Sequence, residues 1–252
     1  MSNTEITLLL YARPDRAMTI EERHARFVER MCRIGSPLGY AGLEPPPAPD
    51  CGDGLSAGFS MKYPIRGLLS FGRYKFRGVD YKWEDKASYD EHLDFRFFLP
   101  SKKLHYSDIL KNQLPLIVDA FEAYRCGVGY DYHSVYYSGG LNRTNPAYNA
   151  LLSEEGIDVN GRNNIYTLNP AQFWDGELCQ RALGFDRDEV IRRLKDVAVL
   201  ARPVMDGVYL VLNDDPQLTY EAFVEMNERI KPMLGLYYGP STADAAAEGR
   251  GS

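Results

Sequence analysis

YSDILKNQLPLIVDAFEAYRCGVGYDYHSVYYSGG, residues 106–140, is the stretch that decides the fold. Its first half repeats apolar residues at steps of three and four, the spacing of one buried helical face. These residues are Leu110, Leu114, Ile117, Phe121 and Tyr124. Ser107 is predicted to cap the start of this helix. Pro115 either opens a shorter helix, which we favour, or kinks a longer one at Leu114.

The second half changes to the alternating pattern of a strand, from Cys126 to Tyr137. It is rich in Tyr, Ser and Gly, a composition typical of protein-binding surfaces, because Tyr gives rigid contact area and Gly lets the backbone adapt. The alternative is a strand whose tyrosines pack across a sheet, closed by a hairpin turn at Gly139-Gly140. The candidate partner-binding residues here are Tyr130, Asp131, Tyr132, His133, Tyr136 and Tyr137.

The two ends of the chain carry similar patterns of strand, proline-bearing loop and threonine-capped helix. Residues 5–13 form a strand and Thr19 opens a capping-box helix; residues 207–212 and Thr219 repeat the order. Either the chain is a duplication or two units share generic rules. The predicted class is α+β: a mixed, largely antiparallel sheet with helices packed on one face, and two similar β-α halves as an option. We expect one domain over residues 1–238 and a disordered tail over 239–252.

Other segments give local predictions of differing strength. Asp186 is predicted to be the N-cap of a helix and to form a capping box with Glu189. Residues 68–78 alternate aromatic with basic side chains, which favours a half-buried strand with a solvated face over a nucleic-acid track. Residues 88–91 resemble a capping box before a phenylalanine-rich strand, and residues 165–168 suggest a short strand.

Composition bounds the function. The net charge of −6 on 252 residues argues against general nucleic-acid or anionic-membrane binding and is compatible with a basic partner. The four cysteines are scattered, without metal-ligand spacing, as expected for thiols in a reducing compartment. The start lacks a signal peptide pattern, and no apolar run is long enough for a membrane span. We therefore expect a cytoplasmic protein without a metal or cofactor.

No motif discloses a catalytic chemistry. The glycine-rich segments do not match a phosphate loop, and neither a nucleophile elbow nor a zinc-protease motif is present. Asp214 and Asp215 follow the strand over residues 207–212, within a segment free of Lys and Arg. Such a pair can bind a metal or activate water, can stabilise a turn, or can form an acidic docking patch for a basic partner.

The segments LPLIVDAFEAYRCGV, preceded by YSDIL, and LLLYARP…EERHARFVERM resemble the bacterial polymorphic-toxin immunity proteins, most nearly the family numbered fifty-two. The resemblance covers about half of the chain. It implies a cytoplasmic α+β antidote, encoded beside a toxin of a restriction-endonuclease-like class, including type VI secretion effectors. It carries no short signature for inhibitory residues.

The leading hypothesis is therefore a stoichiometric inhibitor, not an enzyme, that binds a cognate protein toxin, expected to be a basic nuclease domain. The tyrosine-rich residues form one candidate surface, and Asp214 with Asp215 forms another. The alternatives are a hydrolase that uses the carboxylate pair and a mobile-element structural protein that works by assembly. Oligomeric state is left open.

Overall fold

The structure, a computed structural model, describes residues 4–49, 55–78, 80–82, 85–130 and 146–236. Eight strands in these residues form one sheet in the order β2-β3-β4-β1-β5-β6-β8-β7, with every neighbouring pair antiparallel. The strands are β1 (Thr4–Ala12), β2 (Ser56–Lys62), β3 (Leu69–Lys75), β4 (Glu91–Leu99), β5 (Arg125–Tyr130), β6 (Ala171–Trp174), β7 (Leu200–Val204) and β8 (Gly207–Val211). The predicted α+β class with an antiparallel sheet is confirmed.

Six helices accompany the sheet in the described residues. They are α1 (Ile20–Met31), α2 (106–120), α3 (Pro146–Ser153), α4 (Gly176–Leu183), α5 (Arg187–Leu194) and α6 (Tyr220–Ile230). None of these helices combines the length and the apolar character that crossing a membrane requires. The tail predicted over 239–252 lies outside the described residues.

Strand β1 lies at the centre of the sheet, between β4 and β5. Ile6, Leu8 and Leu10 point to one face and are completely buried. Leu8 lies opposite Phe95 of β4 on one side and Val128 of β5 on the other. Because successive strand residues point to opposite faces, these partners all belong to the same apolar layer. We call this layer the inner face of the sheet.

Helix α1 covers the inner face over the first strands. The predicted capping box at its start is confirmed: Thr19 Oγ accepts the Glu22 amide, and the Glu22 carboxylate accepts the Thr19 amide at 2.9 Å. Phe27 brings the helix onto the sheet, with its ring centroid 5.7 Å from that of Phe59 on β2 and 5.5 Å from that of Phe121. Edge contacts of this kind add to the burial of the rings.

Helix α2 also packs on the inner face, and it contains a change of pitch. It is α-helical over Tyr106–Asp108, π-helical over Ile109–Gln113 and α-helical again over Leu114–Ala120. The wider turn precedes Pro115, which lacks an amide and crowds the preceding turn. Pro115 lies in the first turn of the second α-helical segment, but that segment continues a helix that begins at Tyr106, so the favoured shorter helix is wrong and the alternative of a longer, irregular helix is nearer. The predicted cap at Ser107 is wrong, because Ser107 lies inside the helix and its hydroxyl binds Asp214.

The C-terminal part of the chain reaches the other face of the sheet, which we call the outer face. The segment before β6 lies there: the Asn169 amide donates to Gln172 Oε1, and a Cβ on Gly127 of β5 would lie 2.5 Å from Asn169 Nδ2. The Asn227 side chain of α6 forms hydrogen bonds with the backbone amide and carbonyl of Leu168 in this segment. The prediction that helices pack on one face holds for α1 and α2, which cover the inner face. It is wrong for α6, which binds the segment on the outer face.

Two local predictions are wrong. Residues 165–168 do not form a strand, because Asn160 Oδ1 accepts the amides of Tyr166 and Thr167 in place of a neighbouring strand. Residues 88–91 do not open a helix: a 3-10 turn over Ala87–Tyr89 leads directly into β4. The carboxylates that suggested a capping box are buried ion-pair partners, described below.

The two similar β-α units occupy different places in the sheet. Strand β1 is fourth in the order and β8 is seventh. Since each neighbouring pair between them is antiparallel, the two strands run in opposite directions. Duplication of a β-α half stays an untested prediction.

Candidate protein-binding surface

Tyr130, the described residue of the tyrosine-rich candidate surface, contacts the chain at the second candidate surface, formed by Asp214 and Asp215. Tyr130 ends β5, and Asp214 and Asp215 follow β8, at the same end of the sheet. The Tyr130 hydroxyl donates to the Asp215 carbonyl at 3.1 Å and shares a 2.6 Å hydrogen bond with the Tyr106 hydroxyl. The Tyr130 residue is only 5% exposed, so it offers a partner little surface. Asp131, Tyr132, His133, Tyr136 and Tyr137 lie outside the described residues.

Asp214 is held by helix α2. Lys111 Nζ donates to its carboxylate at 2.6 Å and Ser107 Oγ donates at 2.7 Å. These two hydrogen bonds, that from Lys111 above all, lower the pKa of Asp214 below its usual range. A carboxylate with a lowered pKa is ionised at neutral pH and does not act as a general acid.

Asp215 stabilises a turn. Its carboxylate accepts the Gln217 amide at 2.8 Å, and its own amide donates to Asn213 Oδ1 at 2.7 Å. These hydrogen bonds are those of a turn, which was one of the three roles considered for the carboxylate pair. A nearby cavity of about 210 Å³ is lined by Pro216 and Gln217 and does not include either carboxylate in its lining. The contacts of the pair are thus structural ones.

The most exposed apolar residues on the sheet lie elsewhere, on the outer face of β2, β3 and β4. Leu69 is 64% exposed and Phe98 is 46% exposed, and Phe71, two residues farther along β3 from Leu69, is half-buried. The strand registers place their neighbours on the same face, with Leu69 opposite Arg96 and Phe71 opposite Asp94. We call the surface formed by Lys62, Leu69, Phe71, Arg73, Arg96 and Phe98 the open face.

Four residues of the open face line a shallow depression with a volume of about 780 Å³: Lys62, Leu69, Phe71 and Arg96. Basic side chains surround the apolar residues: Lys62 and Arg66 lie beside the hairpin between β2 and β3, and Arg73 lies farther along β3. Arg73 stands over the Phe71 ring, 5.4 Å from its centroid. The arrangement is a small apolar patch with a cationic rim, which is typical of protein-interaction sites.

His92 and Asp94 also belong to this side of β4. Burial, with Arg73 and Lys75 nearby, lowers the pKa of His92 to about 4, so the imidazole is neutral at physiological pH. Burial raises the pKa of Asp94. Arg96, whose Nε lies 3.8 Å from the Asp94 carboxylate, opposes this rise. The cations of the open face are therefore only weakly balanced by neighbouring anions.

Another cavity on the outer face, of about 400 Å³, lies next to this depression, along β1 and β5. Arg96 lines both depressions. The Arg125 guanidinium lies 4.0 Å from the Tyr11 ring centroid, and its buried Nε has no hydrogen-bond partner. Asparagine and threonine side chains of the segment before β6 form the opposite wall.

Buried ion pairs fix the start of β4 beneath these surfaces. Glu91 is completely buried, accepts from Arg23 Nε at 3.2 Å and pairs with Arg77. Asp90 accepts from Arg162 at 2.7 Å and from the Tyr124 hydroxyl at 2.6 Å. Burial raises the pKa of Asp90, and these two donors oppose the rise. Sequence analysis missed both networks, because their members are far apart in the chain.

In the part of the chain that the structure describes, no group of three or more His, Cys, Asp or Glu side chains is arranged to hold a metal ion. Cys32, Cys126 and Cys179 are free thiols.

No family model and no curated protein matches the chain. Among solved structures, the chain is similar to the Pseudomonas aeruginosa T6SS protein PA0821. The two share 14% sequence identity with a TM-score of 0.49, over 95% of this chain and 77% of the other.

Proposed function

We propose that this protein is an antidote that binds a cognate protein toxin and neutralises it stoichiometrically, without catalysis of its own. The observation that carries the proposal is the open face. Leu69 of β3 and Phe98 of β4 present apolar surface to solvent from two neighbouring strands, each of which is paired on both sides. Exposed apolar residues with a charged rim favour a binding function, since isolated folding gives no reason to leave them uncovered.

The scaffold under the open face suits tight binding. The inner-face residues of β2, β3 and β4 are buried against α1 through contacts such as Phe27 with Phe59. Glu91 and its arginine partners hold β4 at one end. A surface fixed in this way loses little conformational entropy when it binds, which leaves more of the contact energy for affinity.

The sequence resemblance to toxin immunity proteins supports the same class. The resembling segments form β1, α1, α2 and β5, which supply inner-face residues such as Leu8, Ile117 and Val128. The resemblance therefore concerns the scaffold. The open face lies on other strands and is where a partner-specific surface is proposed. Neutralisation then results from occupying the toxin surface that binds substrate or assembles the active site.

The hydrolase alternative required a carboxylate pair that faces a polar cavity. Asp214 is occupied by Lys111 and Ser107, and Asp215 by the turn. No contact in the described residues favours this reading over the antidote. A cytoplasmic location and a basic nuclease as the partner remain expectations that follow from the antidote hypothesis and the net charge.

The test is co-expression with the product of the adjacent reading frame. The antidote hypothesis expects that this product kills the host cell, that the present chain restores growth, and that the two co-purify in a fixed ratio. Leu69→Asp combined with Phe98→Asp is expected to abolish rescue, whereas Leu152→Asp, an equally exposed leucine on α3, is not. A harmless neighbour that forms no complex would contradict the proposal and would make a substrate screen the next experiment.

A further inference from the structure

We propose that the open face binds an acidic segment of the partner, a stretch of chain rich in Asp and Glu that also carries an apolar side chain. This inference rests on the proposed function and names the chemistry of the partner's contact surface. It differs from the expectation of a basic partner, which rests on the net charge of the whole chain.

The charge on this side of the sheet is opposite in sign to that of the protein. The chain carries a net charge of −6. The outer face of β1–β4 and the β2–β3 turn nevertheless hold five cations and two carboxylates, a net charge of +3 with His92 neutral. These charged residues are Lys62, Arg66, Arg73, Lys75, Arg96, Glu5 and Asp94. A local field of this sign attracts an acidic partner and repels a basic one.

Cationic and apolar side chains alternate across the strands. Arg96 lies opposite Leu69, and Arg73 lies opposite His92 and beside Phe71. Arg96 is more than half exposed and its contact with Asp94 is long, at 3.8 Å, so its guanidinium retains donors for another carboxylate. An extended partner segment with acidic and apolar residues in turn would match this pattern, because its side chains also alternate.

A protein segment fits better than nucleic acid. The most exposed apolar side chain of the patch is Leu69, an aliphatic residue that cannot stack with a base, whereas the aromatic Phe98 and Phe71 are less exposed. The remaining surface of an acidic chain repels phosphate, and five cations on one face give a small footprint for a polyanion.

The experiment measures dissociation of the purified complex with the adjacent reading frame's product, at low and at high salt. Arg73→Glu combined with Arg96→Glu reverses two charges of the open face. Arg33→Glu is the matched control, because Arg33 is an exposed cation after α1, on the inner-face side. The double variant is expected to dissociate at least about tenfold faster and to lose the salt dependence of the wild type. The control is expected to dissociate like the wild type.

The outcomes separate the two proposals. A wild-type complex that the double variant leaves unchanged overturns the acidic-segment inference and keeps the antidote function. If the wild type forms no complex, the antidote function fails, and the full-length chain is titrated with a glutamate-rich peptide carrying one tryptophan and with a single-stranded oligonucleotide. Peptide binding that the double variant removes supports the inference. Absence of peptide binding, or tighter binding of the oligonucleotide, overturns it.

Discussion

Glu91 shows at the scale of one residue how much the fold relies on charges that the core excludes from water. Its carboxylate has no exposed surface and is shared between Arg23 and Arg77. Arg23 also donates to the Phe121 carbonyl at 2.5 Å, which ties α1 to the chain just before β5. A buried charge of this kind costs desolvation energy, and it persists because each partner would be left uncompensated without the other.

Glu91→Gln is therefore expected to lower the free energy of unfolding by about 3 kcal/mol, because it removes the buried charge that Arg23 and Arg77 share and leaves Arg23 only its longer contact with Glu122, at 3.6 Å. Urea denaturation measures the change. Glu177→Gln, on an exposed carboxylate paired with Arg181, serves as the control and is expected to cost well under roughly 1 kcal/mol. Equal losses for the two variants would show that the network is not stabilising.

His92 gives a pH-dependent prediction at the same scale. Its pKa is about 4 in the folded protein, against an ordinary value of 6.5, because of burial and of Arg73 and Lys75; Tyr11 lies opposite on β1. Between these two values the unfolded chain binds more protons than the folded one. Stability therefore falls as the pH drops from 6.5 toward 4, with a slope from this group of at most about 1.4 kcal/mol per pH unit.

His92→Asn is expected to flatten that slope, measured as urea midpoints across the acidic range. His105→Asn, at an exposed histidine before α2, is the comparison variant. If the slopes of His92→Asn and of the wild type coincide, His92 is not the group that titrates.

At the scale of elements, some were predictable and some were not, for identifiable reasons. Local signals at helix starts were reliable: Thr19, Asp186 and Thr219 each accept the backbone amide expected of a cap. The box at Asp186 is only half formed, because Glu189 binds Arg192 and Arg193 instead. Ser88–Glu91 carried a similar pattern and failed, since partners distant in sequence claim Asp90 and Glu91.

Short strands with low strand propensity were not predicted. In β2, buried Ala57, Phe59 and Met61 alternate with outward residues, but Gly, Ala and Lys all favour strands weakly. Strand β7 is an edge strand with a proline. The open face was not predicted either. Leu69 and Phe98 look like core residues in sequence, and only the strand register and their exposed fractions show that the described residues leave their side uncovered.

The tie between α6 and the segment before β6 makes a prediction at this scale. Asn227 is completely buried; its Oδ1 accepts the Leu168 amide at 2.8 Å and its Nδ2 donates to the Leu168 carbonyl at 2.9 Å. Asn227→Leu keeps the branching of the side chain but removes both hydrogen bonds, which leaves the two Leu168 backbone groups unsatisfied at a cost of about 2–4 kcal/mol. Hydrogen exchange is expected to speed up across residues 165–169 in particular.

Asn112→Leu is the control for that measurement, because Asn112 makes one exposed hydrogen bond, to Asp108. Unaltered exchange over residues 165–169 in Asn227→Leu would mean that the segment is held by other contacts.

At the scale of the whole molecule, binding and stability are expected to separate. The core lies on the inner face and, at β6 and β8, on both faces of the sheet, and the open face contributes little to it. Leu69→Asp and Phe98→Asp are each expected to change the free energy of unfolding by less than about 1 kcal/mol while weakening the toxin complex by roughly 2 kcal/mol or more. Calorimetric titration and thermal denaturation of the same samples test both halves. A variant that loses binding and stability together would place these side chains in the core after all.

The central position of β1 has a consequence for how the protein is made. Its neighbours β4 and β5 are encoded much later, and β5 ends roughly 120 residues after β1 does. At ribosomal speeds of about 5–20 residues per second, the first strand waits on the order of 6 to 24 s for its second neighbour. During that time Leu8, Leu9 and Leu10 are available to chaperones, and the nascent chain gains its central ladder only when more than half of it has been translated.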